Sequence, residues 1–384
     1  MELTKCKLGE LITQRREKND GSDLPICGVS KDGLIPPKQK DADTSIYNVF
    51  YRDDFIFNPA RMELNSIAIN DMYDRAICSS LYEVFYVHRT DLLLPHYLEL
   101  IIRQKWFTRY CEFLGQGSAR EYCRFGNISE IEIEFPPIEE QQKIVEYNTA
   151  IENRIALKQK INDNLVAVGT ASIQKNVGRG ALINLTEAEM DSLTFPEDFK
   201  IKTVSEFCAE TKSGSTPSRT NNEYWENGTI SWVKSGEVHN NITLQTEEYI
   251  TPLGLSESST KLLPKDTVLM AMYGVTAGEV GYLAIEATTN QAICGMICRS
   301  KAEAAYLYFS LIQSQAAISR LSNGGAQDNL SKNFIDNIKI VVPLSEFIEK
   351  LNLATIVEQM TLNTKEITLL KELQATVLAQ LSSR

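Results

Sequence analysis

The sequence predicts an α+β protein built from two similar α+β modules separated by two long antiparallel helices that form a coiled coil, a pseudo-two-fold arrangement. Three observations carry this. Residues 117–136 (G-S-A-R-E-Y-C-R-F-G-N-I-S-E-I-E-I-E-F-P) and 324–343 (G-G-A-Q-D-N-L-S-K-N-F-I-D-N-I-K-I-V-V-P) align without a gap at a constant offset of 207 residues. In each copy a Gly-rich polar turn leads to a strand of alternating Ile, and Pro stops the strand. A long helical stretch follows each Pro, and each stretch needs a partner for its apolar face.

The elements follow in order. A short amphipathic piece, Leu8-Gly-Glu-Leu-Ile12, opens the first module, and a Gly/Pro/Lys loop runs from Gly33 to Lys40. Strand-like runs come at 55–57 and 81–87, then a helix near 95–109 with Pro95 in its first turn. The second module echoes this plan: Val204-Ser-Glu-Phe207 echoes Leu8-Gly-Glu-Leu11, strands are expected at 229–233, 267–272 and 291–298, and a helix at 302–321. In the C-terminal stretch, positions 353, 356, 360, 363, 367, 370, 374, 377 and 381 follow a 3,4 spacing and hold Leu, Ile, Met, Asn, Ile, Leu, Gln, Val and Leu. That is a heptad seam whose Asn363 and Gln374 fix register. A helix over 348–381 would extend roughly 50 Å. The central stretch carries a less regular stripe, Ile144, Ile151, Ile155, Ile161 and Leu165, and the simplest partner for each helix is the other. The expected boundaries are 1–136 and 176–343 for the modules, 137–175 for the central helix and 344–384 for the C-terminal helix.

With 384 residues, 43% hydrophobic and 23% charged, the chain can bury two ordinary cores. The opening residues lack the apolar run of a signal peptide, and no apolar stretch approaches the ~18 residues of a membrane span, so a cytoplasmic location with no membrane partner is expected. The eight cysteines form no CxxC pair and lie near no His cluster; they read as reduced, structural thiols, and no metal site is expected. A net charge of −11 argues that this chain alone grips DNA weakly, because phosphate neutralisation by Lys and Arg dominates such affinity.

A search for catalytic equipment finds none. The Pro pairs read Pro36-Pro37-Lys38 and Pro136-Pro137-Ile138, unlike the Pro-Pro-aromatic tetrapeptide of an amino-methyltransferase, and there is no Walker A or H-E-x-x-H sequence. Three histidines, His88, His96 and His239, read as surface or loop residues rather than acid–base catalysts. Glu197-Asp198-Phe199-Lys200 is the nearest thing to a nuclease triad, and such runs are common. No enzyme activity and no cofactor are expected.

The run Phe135-Pro-Pro-Ile-Glu-Glu-Gln-Gln-Lys-Ile-Val145 behind an Ile strand resembles the junction between target-recognition domain and central helix in specificity subunits of Type I restriction-modification systems. Gly214-Ser-Thr-Pro-Ser-Arg219, Tyr224-Trp225, Ile230-Ser-Trp-Val-Lys-Ser-Gly-Glu237 and Thr289-Asn-Gln-Ala-Ile293 also look like that family's target-recognition domain. The second junction, Val342-Pro-Leu-Ser-Glu-Phe-Ile-Glu349, departs from the pattern in lacking the Glu-Gln pair. The resemblance implies a non-catalytic subunit in which each domain reads one half of a split double-stranded DNA site. It further implies two adenine methyltransferase subunits, and motor-nuclease subunits in complete systems, as partners that supply much of the phosphate neutralisation. Half-site centres would lie about one helical turn, roughly 10 bp, apart.

Base readers are typically Arg, Lys, Asn and Gln on loops or helix ends, with aromatics as wedges. The candidates in the first module are Lys38, Lys40, Arg61, Gln116, Ser118 and Arg120; in the second they are Ser215, Thr216, Arg219, Lys234, Tyr273, Asn323 and Gln327. The runs 116–120 and 323–327 recur at equivalent places, and turn geometry explains their Gly but not their polar neighbours. Trp225 and Trp232 read as core packers. The alternative function is a protein-interaction scaffold with duplicated binding modules spaced by the coiled coil, favoured only by the acidic charge.

Overall fold

In the computed structural model, which describes residues 3–31, 33–37, 43–115, 122–183, 185–239, 242–322 and 329–382, the duplication reaches the level of individual hydrogen bonds. Strand Thr4–Lys7 pairs antiparallel with Glu132–Phe135, and strand Lys200–Thr203 pairs antiparallel with Lys339–Val342. At equivalent places Leu8 N donates to Ile131 O and Val204 N to Ile338 O, both at 2.9 Å. The short helices Phe125–Ser129 and Lys332–Asp336 precede the two Ile strands. In the first copy Ile133 and Phe135 are buried and Glu132 and Glu134 exposed, as a period of two requires; in the second, Ile340, Val341 and Val342 are all buried in a strand with a neighbour on each side.

The chain forms two compact units, one of residues 1–154 with 370–384, the other of residues 155–369. In the first unit one four-stranded sheet has the order Ile12–Arg15, Glu83–Val87, Phe55–Phe57, Ile67–Ile69, every pair antiparallel. The second unit repeats that order with Glu210–Ser213, Ile293–Ile297, Thr267–Ala271 and Val280–Leu283, then adds Ile242–Thr243 in parallel. Each unit carries a further sheet: four strands around Ile26–Ser30 and Arg75–Cys78 in the first, three around Ile230–Val233 in the second. Phe55, Phe57 and Phe85 pack in the first core, and Phe55 stacks on Phe85 at 4.9 Å. Tyr306, Tyr308 and Phe309 of helix Lys301–Ser322 fill the second.

The helix expected near 95–109 is two helices, Pro95–Ile102 and Lys105–Gly115. The turn falls at Gln104, which is 8% exposed, and whose Oε1 accepts from Trp106 Nε1 at 2.6 Å while its carbonyl accepts from Phe107 N at 3.1 Å. The second unit keeps one unbroken helix there.

Behind the first Pro stop, helix Ile138–Asn176 runs 39 residues without a break. The C-terminal helix differs from expectation. It is not continuous from 348: helix Ser345–Lys350 ends, Asn352 takes a left-handed φ of 53°, and helix Leu353–Ser382 begins. Asn tolerates that conformation better than most residues, and Asn352 Oδ1 accepts from Thr355 Oγ1 at 2.7 Å, holding the new helix start.

Within each unit these helices pair, and in the second the partner numbers fall as the helix numbers rise, as antiparallel packing requires. In the first unit Gln374 donates to Asn148 Oδ1 at 3.0 Å and Glu152 Oε1 at 3.1 Å. In the second, Asn363 Nδ2 donates to Asn162 Oδ1 at 2.9 Å, Lys158 Nζ donates to Asn363 Oδ1 at 3.1 Å, and Lys158 pairs with Glu366 at 2.8 Å. Both polar seam residues therefore meet polar residues of the facing helix, which selects one register over its neighbours. Leu353, Met360, Asn363 and Ile367 are buried along the predicted seam. Gly169 lets helix Lys301–Ser322 seat closely, since a Cβ there would lie 2.3 Å from Phe309 Cε1.

Candidate nucleic-acid interface

The second unit gathers four sequence-distant stretches into one corner. Gly214 approaches the backbone so closely that an added Cβ would lie 2.1 Å from Thr289 Oγ1 and 2.3 Å from Asn290 O, so only Gly fits. Ser215 N donates to Thr289 O at 2.9 Å, and Ser215 O accepts from Trp232 Nε1 at 3.1 Å and Thr260 Oγ1 at 3.0 Å. The Ser215 hydroxyl meets Ser259 Oγ at 2.8 Å, and Thr216 Oγ1 donates to Gln291 Oε1 at 2.5 Å. This loop is held on both its main chain and its side chains.

Arg219 lies over two indoles, 3.6 Å from the Trp225 ring centre and 4.8 Å from that of Trp232, and is ion-paired to Glu248. The rings meet edge to face at 5.0 Å. Trp232 is buried, as expected; Trp225 is half-buried and serves as the platform for the cation. Lys234 Nζ reaches Glu247 at 2.5 Å and Glu248 at 3.3 Å. The hydrogen bond from Arg219, then that from Lys234, holds the Glu248 carboxyl below its usual range despite partial desolvation, and Glu247 pushes the Lys234 ammonium up. Both predicted cations are thus neutralised within the chain. Another stacked Arg makes the contrast plain: Arg15 sits between Tyr51 and Tyr86 at 4.7 and 4.6 Å and binds Asp54 at 2.6 Å, with Asp54 only 2% exposed. That pair belongs to the core of the first unit. Arg219, half exposed, is open to an incoming anion.

Arg61 and Tyr273 lie on corresponding loops of the two units, two residues after Pro59 and one after Met272. Cys123 N donates to Pro59 O at 3.0 Å, and Leu330 N donates to Met272 O at 2.8 Å. Arg61 follows on the turn Pro59–Leu64 and Tyr273 follows Met272; both are exposed, each on a loop tied to a residue inside a recurrent junction run. Lys38, Lys40, Gln116, Ser118, Arg120, Asn323 and Gln327 lie outside the described residues. Sequence reading missed the carboxylates Glu247 and Glu248, whose roles depend on contacts across 13 and 29 residues. Among the described residues no group of three or more His, Cys, Asp or Glu is arranged to hold a metal ion, and no helix is long and apolar enough to cross a membrane.

The Type I restriction modification DNA specificity domain matches residues 6–167 and again residues 196–377. The chain is 26% identical over 175 residues to the Type I restriction enzyme EcoR124I/EcoR124II specificity subunit of Escherichia coli, a match covering 44% of this chain and 41% of that one. It is 22% identical over 322 residues to the Type I restriction enzyme HindI specificity subunit of Haemophilus influenzae, covering 67% and 70%. The chain thus spans less than half the length of the first relative. Its fold is shared with the crystal structure of a Type I restriction-modification system S subunit from M. genitalium, at a TM-score of 0.59, 14% identity and coverage of 99% and 96%. With the domain present twice over most of its length, the chain belongs to the family of DNA specificity subunits of Type I restriction-modification systems.

Proposed function

We propose that this chain is the DNA sequence-specificity subunit of a Type I restriction-modification complex, with residues 1–136 and 176–343 as its two recognition domains, each reading one half of a bipartite duplex site. The helical segments 137–175 and 344–384 set the spacer and dock two adenine methyltransferase subunits, with motor-nuclease subunits joining where the system restricts. The chain contributes recognition and no chemistry of its own, and it works in the cytoplasm. One observation carries the reading: two units repeat the same strand order and the same junction hydrogen bonds, Leu8 N to Ile131 O and Val204 N to Ile338 O. A duplicated reader suits a target that itself comes in halves.

The candidate contacts divide by geometry. Arg61 in the first unit and Tyr273 in the second, both exposed, are base contacts of their own domains; Gln116, Ser118, Arg120, Asn323 and Gln327 are further base contacts, on residues outside those described. Ser215, Thr216, Arg219 and Lys234 form one edge, in which a DNA phosphate displaces Glu248 from Arg219. Lys38 and Lys40, outside the described residues, are further base contacts of the first domain. The experiment is copurification with an adenine methyltransferase, then mapping of methylated bases. Exchanging residues 176–343 for those of another family member is expected to change one half-site and leave the other. A complex that methylates nothing, or whose site ignores the exchange, returns the chain to the scaffold reading.

A further inference from the structure

We propose that the exposed face of helix Lys105–Gly115 is a seat for the sugar-phosphate backbone of double-stranded DNA flanking the half-site of the first recognition domain; the proposal rests on the DNA-reading function above. Phe107 and Cys111, four residues apart, are fully buried and fix the inward face of this helix. Its other side carries large aromatics where an ordinary amphipathic helix carries polar groups: Trp106 is 36% exposed, Tyr110 40% and Phe113 68%. A groove of about 880 Å³ runs along this face, with Leu378 and the small side chains of Ala375 and Ala379 on its far wall.

Charge decides the occupant. Arg103, Lys105 and Arg109 line the groove, and among the described residues no carboxylate does, in a chain of net charge −11. Arg103 is already engaged by Glu99 at 3.5 Å. Lys105 and Arg109 make no ion pair among the described residues, whereas Lys143, Lys234 and Lys301 are each held by a glutamate. The two unpaired cations stand one helical turn apart, about 6 Å, a spacing that lets both reach neighbouring phosphates of one strand. Beside them on the same helix the exposed Trp106, Tyr110 and Phe113 offer an apolar surface to deoxyribose. A partner with regularly spaced anions and apolar faces between them fits this strip, and duplex DNA has that chemistry.

The test uses the full chain, alone and assembled with its adenine methyltransferase, binding a labelled duplex that lacks the recognition site across a range of salt concentrations. Replacing Lys105→Gln together with Arg109→Gln is expected to flatten the slope of log affinity against log salt by about 1.8 and to weaken binding about 30-fold at ~0.15 M salt. Arg52→Gln, which removes a cation already paired with Asp74, is expected to leave both unchanged, and near-ultraviolet circular dichroism checks the fold of each variant. If the parent chain binds DNA and the double variant keeps its slope and affinity, the groove is not a DNA seat, while the recognition function stands. A double variant that loses the methyltransferase in the absence of DNA, with its slope intact, makes the groove a protein seat and also overturns the proposal. A parent complex with no salt-dependent DNA binding at all removes the recognition function and this surface together.

Discussion

The two junctions share one main-chain frame and solve the same packing problem with opposite chemistry. At the first, Gln141 is fully buried; its Oε1 accepts from Leu94 N at 2.9 Å, and its Nε2 donates to Leu92 O at 2.7 Å and Pro136 O at 2.8 Å. At the second, the position 207 residues later is Ile348, 2% exposed in an apolar cluster beside Phe347, whose ring meets Phe199 at 5.3 Å. The helix behind the polar clamp is continuous, and the helix behind the apolar wedge breaks at Asn352. Main-chain hydrogen bonds, indifferent to side chains, keep the duplicated frame alike, while a single side chain decides how each helix is entered.

That comparison breaks first at Gln141→Ile, which imports the second junction's residue into the first. Three backbone groups would lose a buried partner, and leaving such groups unpaired costs about 1–3 kcal/mol each before relaxation. A net loss of about 2–4 kcal/mol is expected, read as a lower melting temperature and as faster hydrogen exchange at Leu94 N. A neutral result would mean that the two junctions are interchangeable. The reciprocal Ile348→Gln buries an amide among Phe and Leu side chains and is expected to cost a similar amount.

The helix seam gives the next effect. Asn363→Leu in the second unit strips Asn162 and Lys158 of a buried partner, for an expected loss of about 1–3 kcal/mol. Adding Asn162→Leu restores part of it, because removing both polar groups is cheaper than removing one. A double variant no more stable than Asn363→Leu alone would show that this pair does not set the register. A smaller effect is expected from Asn352→Val, since Val stands at the equivalent place, 145, within the unbroken central helix. In the left-handed conformation Val costs about 1–2 kcal/mol; if the second helix instead became continuous, its amides from 350 to 353 would gain protection and the penalty would vanish.

What could be read from the chain alone follows from how local each signal is. The Ile strands, the 3,4 seam and the 207-residue offset are periodic, so they were legible; the strand order was not, because which strands pair leaves no local pattern, and the duplication predicts only that the two modules share one order. Two breaks were not. Gln104 interrupts a helix through a bond to Trp106, and Asn352 does so through its backbone angle and Thr355; neither changes the apolar spacing that predicts a helix. In the candidate interface, the stretches around Gly214, Trp225, Lys234 and Thr289 were nominated separately, and the fold brings them into one corner. Their neutralisation by Glu247 and Glu248 is invisible without the fold, as is the outward face of Trp106, Tyr110 and Phe113, whose spacing reads equally well as core.

The smallest expected change in stability belongs to the pair that separates the two stacked arginines. Glu248→Gln removes the carboxylate from Arg219 and Lys234, and because the pair is partly exposed the loss is expected to stay under about 1 kcal/mol. Its pH signature has a definite sign. The carboxyl is held below its usual range in the folded chain, so its contribution is fully present above the unfolded value near 4.3 and is lost as pH falls through the lower folded value. Glu248→Gln should therefore leave stability near neutral pH almost unchanged and remove one increment of acid lability below about pH 4. On DNA the effect runs the other way: with no carboxylate to displace, Arg219 meets a phosphate unopposed, and non-specific affinity is expected to rise about 5-fold at ~0.15 M salt, the worth of one added phosphate contact. The corresponding Asp54→Asn beside Arg15 should raise nothing and only destabilise, since that carboxylate is buried. If Glu248→Gln leaves DNA affinity unchanged, Arg219 is a structural cation like Arg15 and no part of the proposed DNA contact surface.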